Sequence, residues 1–276
     1  MKAMSDTQGN KADSHGPSPT SDDKRPPVIF LQDESKARSE KANSSRRVSD
    51  GSGEMQTAKL GHHRIDFNKA DSAAATALKV LRTQVFRRMR QHNWQTLAIT
   101  SSNPGEGKTF TAVNLALSFA QKPNFPVLLV DLDLRRPTLH HYFDHRSKAS
   151  VEQAVTEGLC IEKVWFRPDQ DSELYVIPAL NPIASSSEIL SSLEMAKLVK
   201  QFRVLFEKGI VVFDLPPLLH TDDVLAFSPL IDSLLLVVEE SNTRWRDLKL
   251  ALELLEDIEV IGTVLNRSKT ASRYYY

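Results

Sequence analysis

The run Leu97-Ala98-Ile99-Thr100-Ser101-Ser102-Asn103-Pro104-Gly105-Glu106-Gly107-Lys108-Thr109 starts as a short β-rich apolar segment and breaks into a loop with two glycines. It then restarts as helix-period sequence from Phe110 to Gln121. A strand, a glycine loop ending in Gly-Lys-Thr and a helix form the context that a phosphate-binding loop requires. Gly105 and Gly107 let backbone N–H groups turn inward around phosphate oxygens, and the helix start adds the positive end of its dipole. Lys108 would bridge the β- and γ-phosphates of a nucleoside triphosphate, and the Thr109 hydroxyl would ligate Mg²⁺. The first position of the G-x-x-x-x-G-K-[ST] pattern is Ser102 instead of glycine.

Composition narrows the function class. The 276 residues could hold one large domain or two small ones, and the formal net charge is zero. Nothing global therefore points to nucleic acid or a membrane surface. A single cysteine, Cys160, rules out an internal disulfide framework and suits a reducing cytoplasm. No apolar run approaches ~18 residues, and the N-terminus has no continuous apolar core of a secretory signal.

Working outward, residues 1–65 differ in kind from the remainder. They are rich in Ser, Asp, Lys, Pro and Gly, with Phe30 as their one aromatic residue. Such a segment buries too little apolar surface to offset its ordering entropy, so it reads as a disordered tail. Val28-Ile29-Phe30-Leu31 stands out within it, either as a sticky patch or as a docking peptide.

From Asp71 or Ser72, possible caps, Leu78, Leu81, Val85 and Met89 recur at helical spacing. Strands are predicted at 96–100, 126–131, 174–177, 210–213, 233–238 and 260–265. Helical patches fall at 151–157, 189–206 and 246–255. The alternation implies an α/β fold with a mostly parallel sheet covered by helices on both faces. Ligands in such folds bind at the carboxyl ends of the strands.

Two more stations sit at such ends. Val127-Leu128-Leu129-Val130-Asp131-Leu132-Asp133 leads a buried strand into two carboxylates, and Ile210-Val211-Val212-Phe213-Asp214-Leu215-Pro216-Pro217 leads another into one. Asp131 would sit beside the phosphate loop if the two strands are neighbours. There it can hold Mg²⁺ or accept a proton from an attacking hydroxyl. Asp133 points the same way if the chain stays extended. Asp214 has the Walker-B position for orienting Mg²⁺. Three of the five tyrosines are the last residues, Tyr274, Tyr275 and Tyr276, which read as phosphoacceptors beside a nucleotide site.

These stations together resemble the bacterial tyrosine kinases that govern capsule and exopolysaccharide polymerisation and export, from about residue 68 to the C-terminus. The most specific element is Asp131-Leu132-Asp133-Leu134-Arg135-Arg136-Pro137. Beside it stand the phosphate loop, Asp214-Leu215-Pro216-Pro217, Gly262-Thr263-Val264-Leu265-Asn266-Arg267 and the terminal tyrosines. The resemblance implies a kinase domain over 66–268 with the P-loop NTPase fold and a flexible tyrosine-bearing tail over 269–276. It implies ATP and Mg²⁺ as cofactors, with the nucleotide held by Asn103, Pro104, Gly105, Glu106, Gly107, Lys108, Thr109, Phe110 and Asn266. It further implies Lys108, Asp131 and Asp133 in catalysis, the metal at Thr109, Asp131 and Asp214, and phosphorylation of the tail in trans. The expected partners are a membrane-bound chain-length determinant protein, a second copy of the chain and a cognate tyrosine phosphatase, with no nucleic acid. The expected location is cytoplasmic, at the inner membrane through that partner.

In the helix before the first predicted strand, family members carry Glu-x-x-Arg-x-x-Arg, used to form rings; here the positions are Thr76, Lys79 and Arg82. One charge of that pattern is lost and another altered, which argues against a ring but leaves self-association. Two other readings share the motifs. Partition and septum-placement ATPases carry a lysine at the position of Asn103 and need no tyrosine tail. A non-catalytic scaffold switched by ATP would not need Lys108, Thr109, Asp131 and Asp214 intact.

Overall fold

Runs such as Val127-Leu128-Leu129-Val130 and Ile210-Val211-Val212-Phe213 have no polar face, which suits strands covered on both sides. The computed structural model describes residues 28–32, 73–143, 147–169 and 171–268 and places these runs inside one sheet. In chain order the elements begin with β1 (Val28–Gln32), α1 (Ala73–His92), β2 (Thr96–Ser101), α2 (Lys108–Ala120) and β3 (Val127–Asp131). A 3₁₀ turn at Leu139–Tyr142 leads to α3 (Val151–Thr156), α4 (Ile161–Val164), β4 (Leu174–Ile177), α5 (Ser186–Leu190) and α6 (Leu193–Leu205). The chain continues through β5 (Ile210–Asp214), α7 (Asp223–Phe227), a second 3₁₀ turn, β6 (Ser233–Glu239), α8 (Trp245–Leu254) and β7 (Val260–Ser268).

All the strand pairs are parallel, in the order β1-β7-β6-β2-β5-β3-β4. The expected helix-covered parallel sheet is borne out, with one revision. β5 lies between β2 and β3, so Asp214 stands next to the phosphate-loop strand (Ile99 opposite Asp214) and Asp131 one strand further out (opposite Asp214).

The period of two along each strand divides the core. Leu97, Ile99, Leu129, Val212 and Val237 meet Leu78, Leu81 and Val85 of α1 and Leu115 and Phe119 of α2 on one face. Ala98, Leu128, Val130, Val211 and Phe213 meet Val199 and Phe202 of α6, Val224 and Phe227 of α7 and Ala251 of α8 on the other. Phe213 is fully buried edge-on to Phe227, ring centroids 4.9 Å apart, so Phe213→Ala would cost about 3–5 kcal/mol.

At the amino end of the sheet Arg203 and Asp232 clamp the start of β2. Asp232 Oδ2 accepts from the Gln95 and Thr96 N–H groups and the Thr96 hydroxyl, while the Arg203 guanidinium grips both of its oxygens.

Several expectations fall outside the described residues: the caps Asp71 and Ser72, most of the disordered tail and the tyrosines 274–276. The short apolar run inside the tail does not. Val28–Gln32 forms β1, paired in parallel with β7 at the edge of the sheet.

Candidate nucleotide and phosphoryl-transfer site

The loop from β2 to α2 turns on two left-handed glycines, Gly105 (φ 85°) and Gly107 (φ 96°). A Cβ at Gly107 would also meet the end of the Asn266 side chain, which would have to move aside. Asn266, from the end of β7, donates from Nδ2 to the Glu106 carbonyl at 2.9 Å and braces the loop from behind.

Glu106 is the buried hub of this loop. Its carboxylate accepts from the Asn103 N–H (3.0 Å) and from the Thr243 hydroxyl (2.6 Å). Asn103 reaches Asp247 of α8 through Nδ2 (3.3 Å), and its Oδ1 lies 3.3 Å from His220 Nε2. The loop is thus tied to the β6–α8 connection, whose polar residues read like any surface loop in the sequence. Thr243, Asp247 and His220 were not anticipated, because nothing local marks a strut whose partner is over a hundred residues away.

Behind the loop the charges converge. Lys108 Nζ lies 2.7 Å from Asp133 Oδ2, 3.6 Å from Asp214 Oδ1 and 3.2 Å from the Thr109 hydroxyl. Burial works against the ammonium charge, but Asp214, Asp133 and Asp131 outweigh it and hold Lys108 protonated well above the usual lysine range.

Asp131 is fully buried, and its oxygens accept backbone N–H groups: Oδ1 from Asp133 (3.1 Å), Oδ2 from Thr138 (3.3 Å) and Leu139 (3.0 Å). It therefore shapes the turn that presents Asp133 to Lys108. Burial, with Asp214 adding to it, pushes its carboxyl well above the ordinary range despite those donors.

Asp214 is different in kind. It is fully buried, and neither oxygen has a hydrogen-bond partner. Burial again raises its pKa, and the nearby Lys108 and Thr109 offset only part of that. A buried carboxylate without donors costs several kcal/mol. A divalent cation beside the Thr109 hydroxyl would supply the missing partner, so the residues fit Mg²⁺. Among the described residues no group of three or more His, Cys, Asp or Glu side chains forms a metal cage.

The structure therefore brings together Asn103, Glu106, Gly107, Lys108, Thr109, Asp131, Asp133, Asp214 and Asn266. Pro104, Gly105 and Phe110 lie in the same loop and helix start; Tyr274, Tyr275 and Tyr276 are outside the described residues. Two further residues adjoin the site. Tyr142, on the 3₁₀ turn, has its phenol raised to about 12 by burial and by Asp214, with Lys108 and Arg267 pulling the other way. Arg135 is held against buried Asp223, which also accepts from the Ser186 hydroxyl at 2.7 Å, and this ties the Asp-x-Asp-x-Arg loop to α5 and α7.

Comparison with known proteins matches residues 97–274 to a family described as the CobQ/CobB/MinD/ParA nucleotide binding domain. Among curated relatives, the tyrosine-protein kinase YwqD of Bacillus subtilis is 27% identical over 77% of this chain and 89% of its own length. The tyrosine-protein kinase Ptk of Acinetobacter johnsonii is 29% identical over 75% of this chain but only 28% of its own. The succinoglycan biosynthesis transport protein ExoP of Rhizobium meliloti is 33% identical over 62% of this chain and 22% of its own. The chain thus spans most of one relative and under a third of the others. Among solved structures, the kinase domain of the Escherichia coli tyrosine kinase Etk superposes with a TM-score of 0.70 at 25% identity, covering 91% of this chain and 94% of that domain. The septum site-determining protein MinD of Pyrococcus horikoshii, at 17% identity and a TM-score of 0.53 over 63% of this chain and 71% of its own, shares the fold.

Proposed function

The chain belongs to the CobQ/CobB/MinD/ParA nucleotide-binding family, and on that premise we propose that it is an ATP-dependent protein-tyrosine kinase of exopolysaccharide or capsule production. The observation that carries the reading is the convergence of Lys108 and Thr109 with three buried carboxylates at the ends of β3 and β5. The kinase names of YwqD, Ptk and the Etk domain support it, and ExoP supports the polysaccharide context.

In this reading residues 103–110 and Asn266 cradle the nucleotide, and Lys108 neutralises charge between its β- and γ-phosphates. Thr109, Asp131 and Asp214 would hold Mg²⁺, which would neutralise phosphate charge. A tyrosine oxygen bonds to the γ-phosphorus while the bond to the β-γ bridging oxygen breaks. The phenolic proton passes to Asp131, and Asp133 keeps Lys108 in place. The acceptors are Tyr274, Tyr275 and Tyr276 of a neighbouring copy. Eight residues beyond Ser268 span about 26 Å when extended, far enough to leave the parent site.

The expected partners are a membrane-bound chain-length determinant, which would hold the kinase at the inner membrane, and a phosphatase that resets the tail. Among the described residues no helix is long and apolar enough to cross a membrane. The test is to incubate the protein with Mg-ATP and map phosphotyrosine by mass spectrometry. Phosphate is expected on residues 274–276 and absent when all three are Phe, with ATP binding retained. Release of phosphate to water without protein labelling would instead identify an ATPase.

A further inference from the structure

The apolar run in the N-terminal region has a structural consequence that none of the site motifs absorbs. β1 lies parallel to β7 with Val28 opposite Thr263, Ile29 opposite Val264 and Phe30 opposite Leu265. The next pair is Gln32 with Ser268, so two steps of β1 span three of β7. The extra residue marks a bulge in β7, and there Arg267 adopts a left-handed conformation (φ 54°) that a side chain makes costly.

The bulge sits at the nucleotide cradle. Asn266, immediately before the left-handed residue, is the side chain that braces Glu106 and closes over Gly107. On the inner side β6 holds the bulge through the Glu240 N–H to Asn266 carbonyl bond (3.0 Å) and the Arg267–Glu239 ion pair (2.7 Å). Among the described residues the outer side of β7 pairs only with β1, at three positions before the bulge and at one after it. Without β1 that side of the ladder is an open edge, and a strained bulge held from one side relaxes more easily.

We propose that the outer edge of β7 is a docking site for an extended apolar segment running parallel to it. Val28–Gln32 of the same chain is its occupant, and docking holds the Asn266–Arg267 bulge against the phosphate-binding loop. Residues 33–72 connect the docked strand to α1. A tether of that length keeps the strand at roughly millimolar effective concentration, which favours the chain's own edge over a second copy's at ordinary protein concentrations. The N-terminal region thus becomes a positioning element for the nucleotide site, acting through Asn266.

Hydrogen exchange on the unmodified full-length chain tests docking. Amides of 28–32 should exchange about tenfold or more slowly than unstructured peptide, equally at low and high protein concentration. Exchange at the free-peptide rate overturns the proposal, and protection that grows with concentration transfers the occupant to a second copy. Alternate residues of a parallel edge strand bond to the neighbour, so the pair Ile29→Pro/Phe30→Pro blocks either phase. That full-length variant should bind a fluorescent ATP analogue about tenfold more weakly, within the usual range of site-to-site coupling. A synthetic peptide of residues 24–36 at about 1 mM should restore binding, and a scrambled peptide should not. In an Asn266→Ala background the proline pair should have no further effect on nucleotide affinity. Unchanged affinity in the proline variant overturns the coupling. If the unmodified chain binds no nucleotide at all, the nucleotide-site reading fails, while the exchange experiment still judges the docking.

Discussion

The two ends of β2 carry opposite answers to the problem of a carboxylate set into a sheet. At the amino end Asp232 receives two backbone N–H groups, a hydroxyl and a bidentate guanidinium. Although burial works against its charge, those donors pull its pKa below the ordinary value. At the carboxyl end Asp214, beside Ile99 of the same strand, has no hydrogen-bond partner, and burial pushes its pKa up. One end is satisfied. The other holds three carboxylates around one lysine, an arrangement that stabilises the fold poorly and is suited to a cation and a phosphate. Local stability has been set aside at the site and retained at the clamp.

The sharpest way to break the comparison is Lys108→Met. It should reduce phosphoryl transfer by about 10³-fold or more, because a positioned cation at the transferring group is lost. The protein should still fold and melt cooperatively. A folded variant with near-normal phosphotyrosine would remove Lys108 from the mechanism.

The converse change is Asp232→Ala, which strips acceptors from Arg203, Gln95 and Thr96. A loss of about 2–4 kcal/mol is expected, with nucleotide affinity unchanged. Denaturant melts beside nucleotide titrations measure both; a parallel loss of affinity would mean that the two ends are not independent.

Asp214→Asn should do the reverse of Asp232→Ala. Removing a buried charge that has no hydrogen-bond donor and only a 3.6 Å ion pair to Lys108 is expected to raise stability by about 1 kcal/mol while abolishing the Mg²⁺ dependence of nucleotide binding. A destabilised variant would show that the carboxylate is satisfied in a way the geometry does not reveal.

The smallest effect is the pH profile. Asp232, with a lowered folded pKa, contributes stability that is present above about pH 4 and fades as pH falls through the folded value. Asp214, with a raised one, costs stability as pH rises above about 4 towards its folded pKa. The Asp214→Asn advantage should therefore widen with rising pH, and the deficit of Asp232→Asn should narrow in acid. Melting temperatures across pH 3–8 would show whether the two curves diverge in these directions.

Most of the site was legible because its residues fall at the ends of apolar runs. Asp131 and Asp214 each terminate a strand buried on both faces, and Gly107-Lys108-Thr109 begins a helix, so spacing alone placed them at one rim of the sheet. Which strand lies next to which was not legible. Local pattern carries no information on lateral order, and the insertion of β5 between β2 and β3 put Asp214, not Asp131, beside the phosphate loop. Thr243, Asp247 and His220 were hidden for the same reason, since a strut is defined by its distant partner.

By itself the sequence determined the class of fold, the phosphate loop and the three carboxylate stations, because hydrophobic periodicity and a glycine loop before a helix are local consequences of backbone sterics and burial. Only the tertiary structure decided how those carboxylates divide their roles: Asp131 bound to backbone donors, Asp133 paired with Lys108, and Asp214 left without a hydrogen-bond partner. It also decided that Val28–Gln32 is a strand of the sheet, against the composition around it. Composition measures whether a segment can build its own core. It does not register an edge, built by residues more than two hundred positions away, that offers five residues a ready ladder.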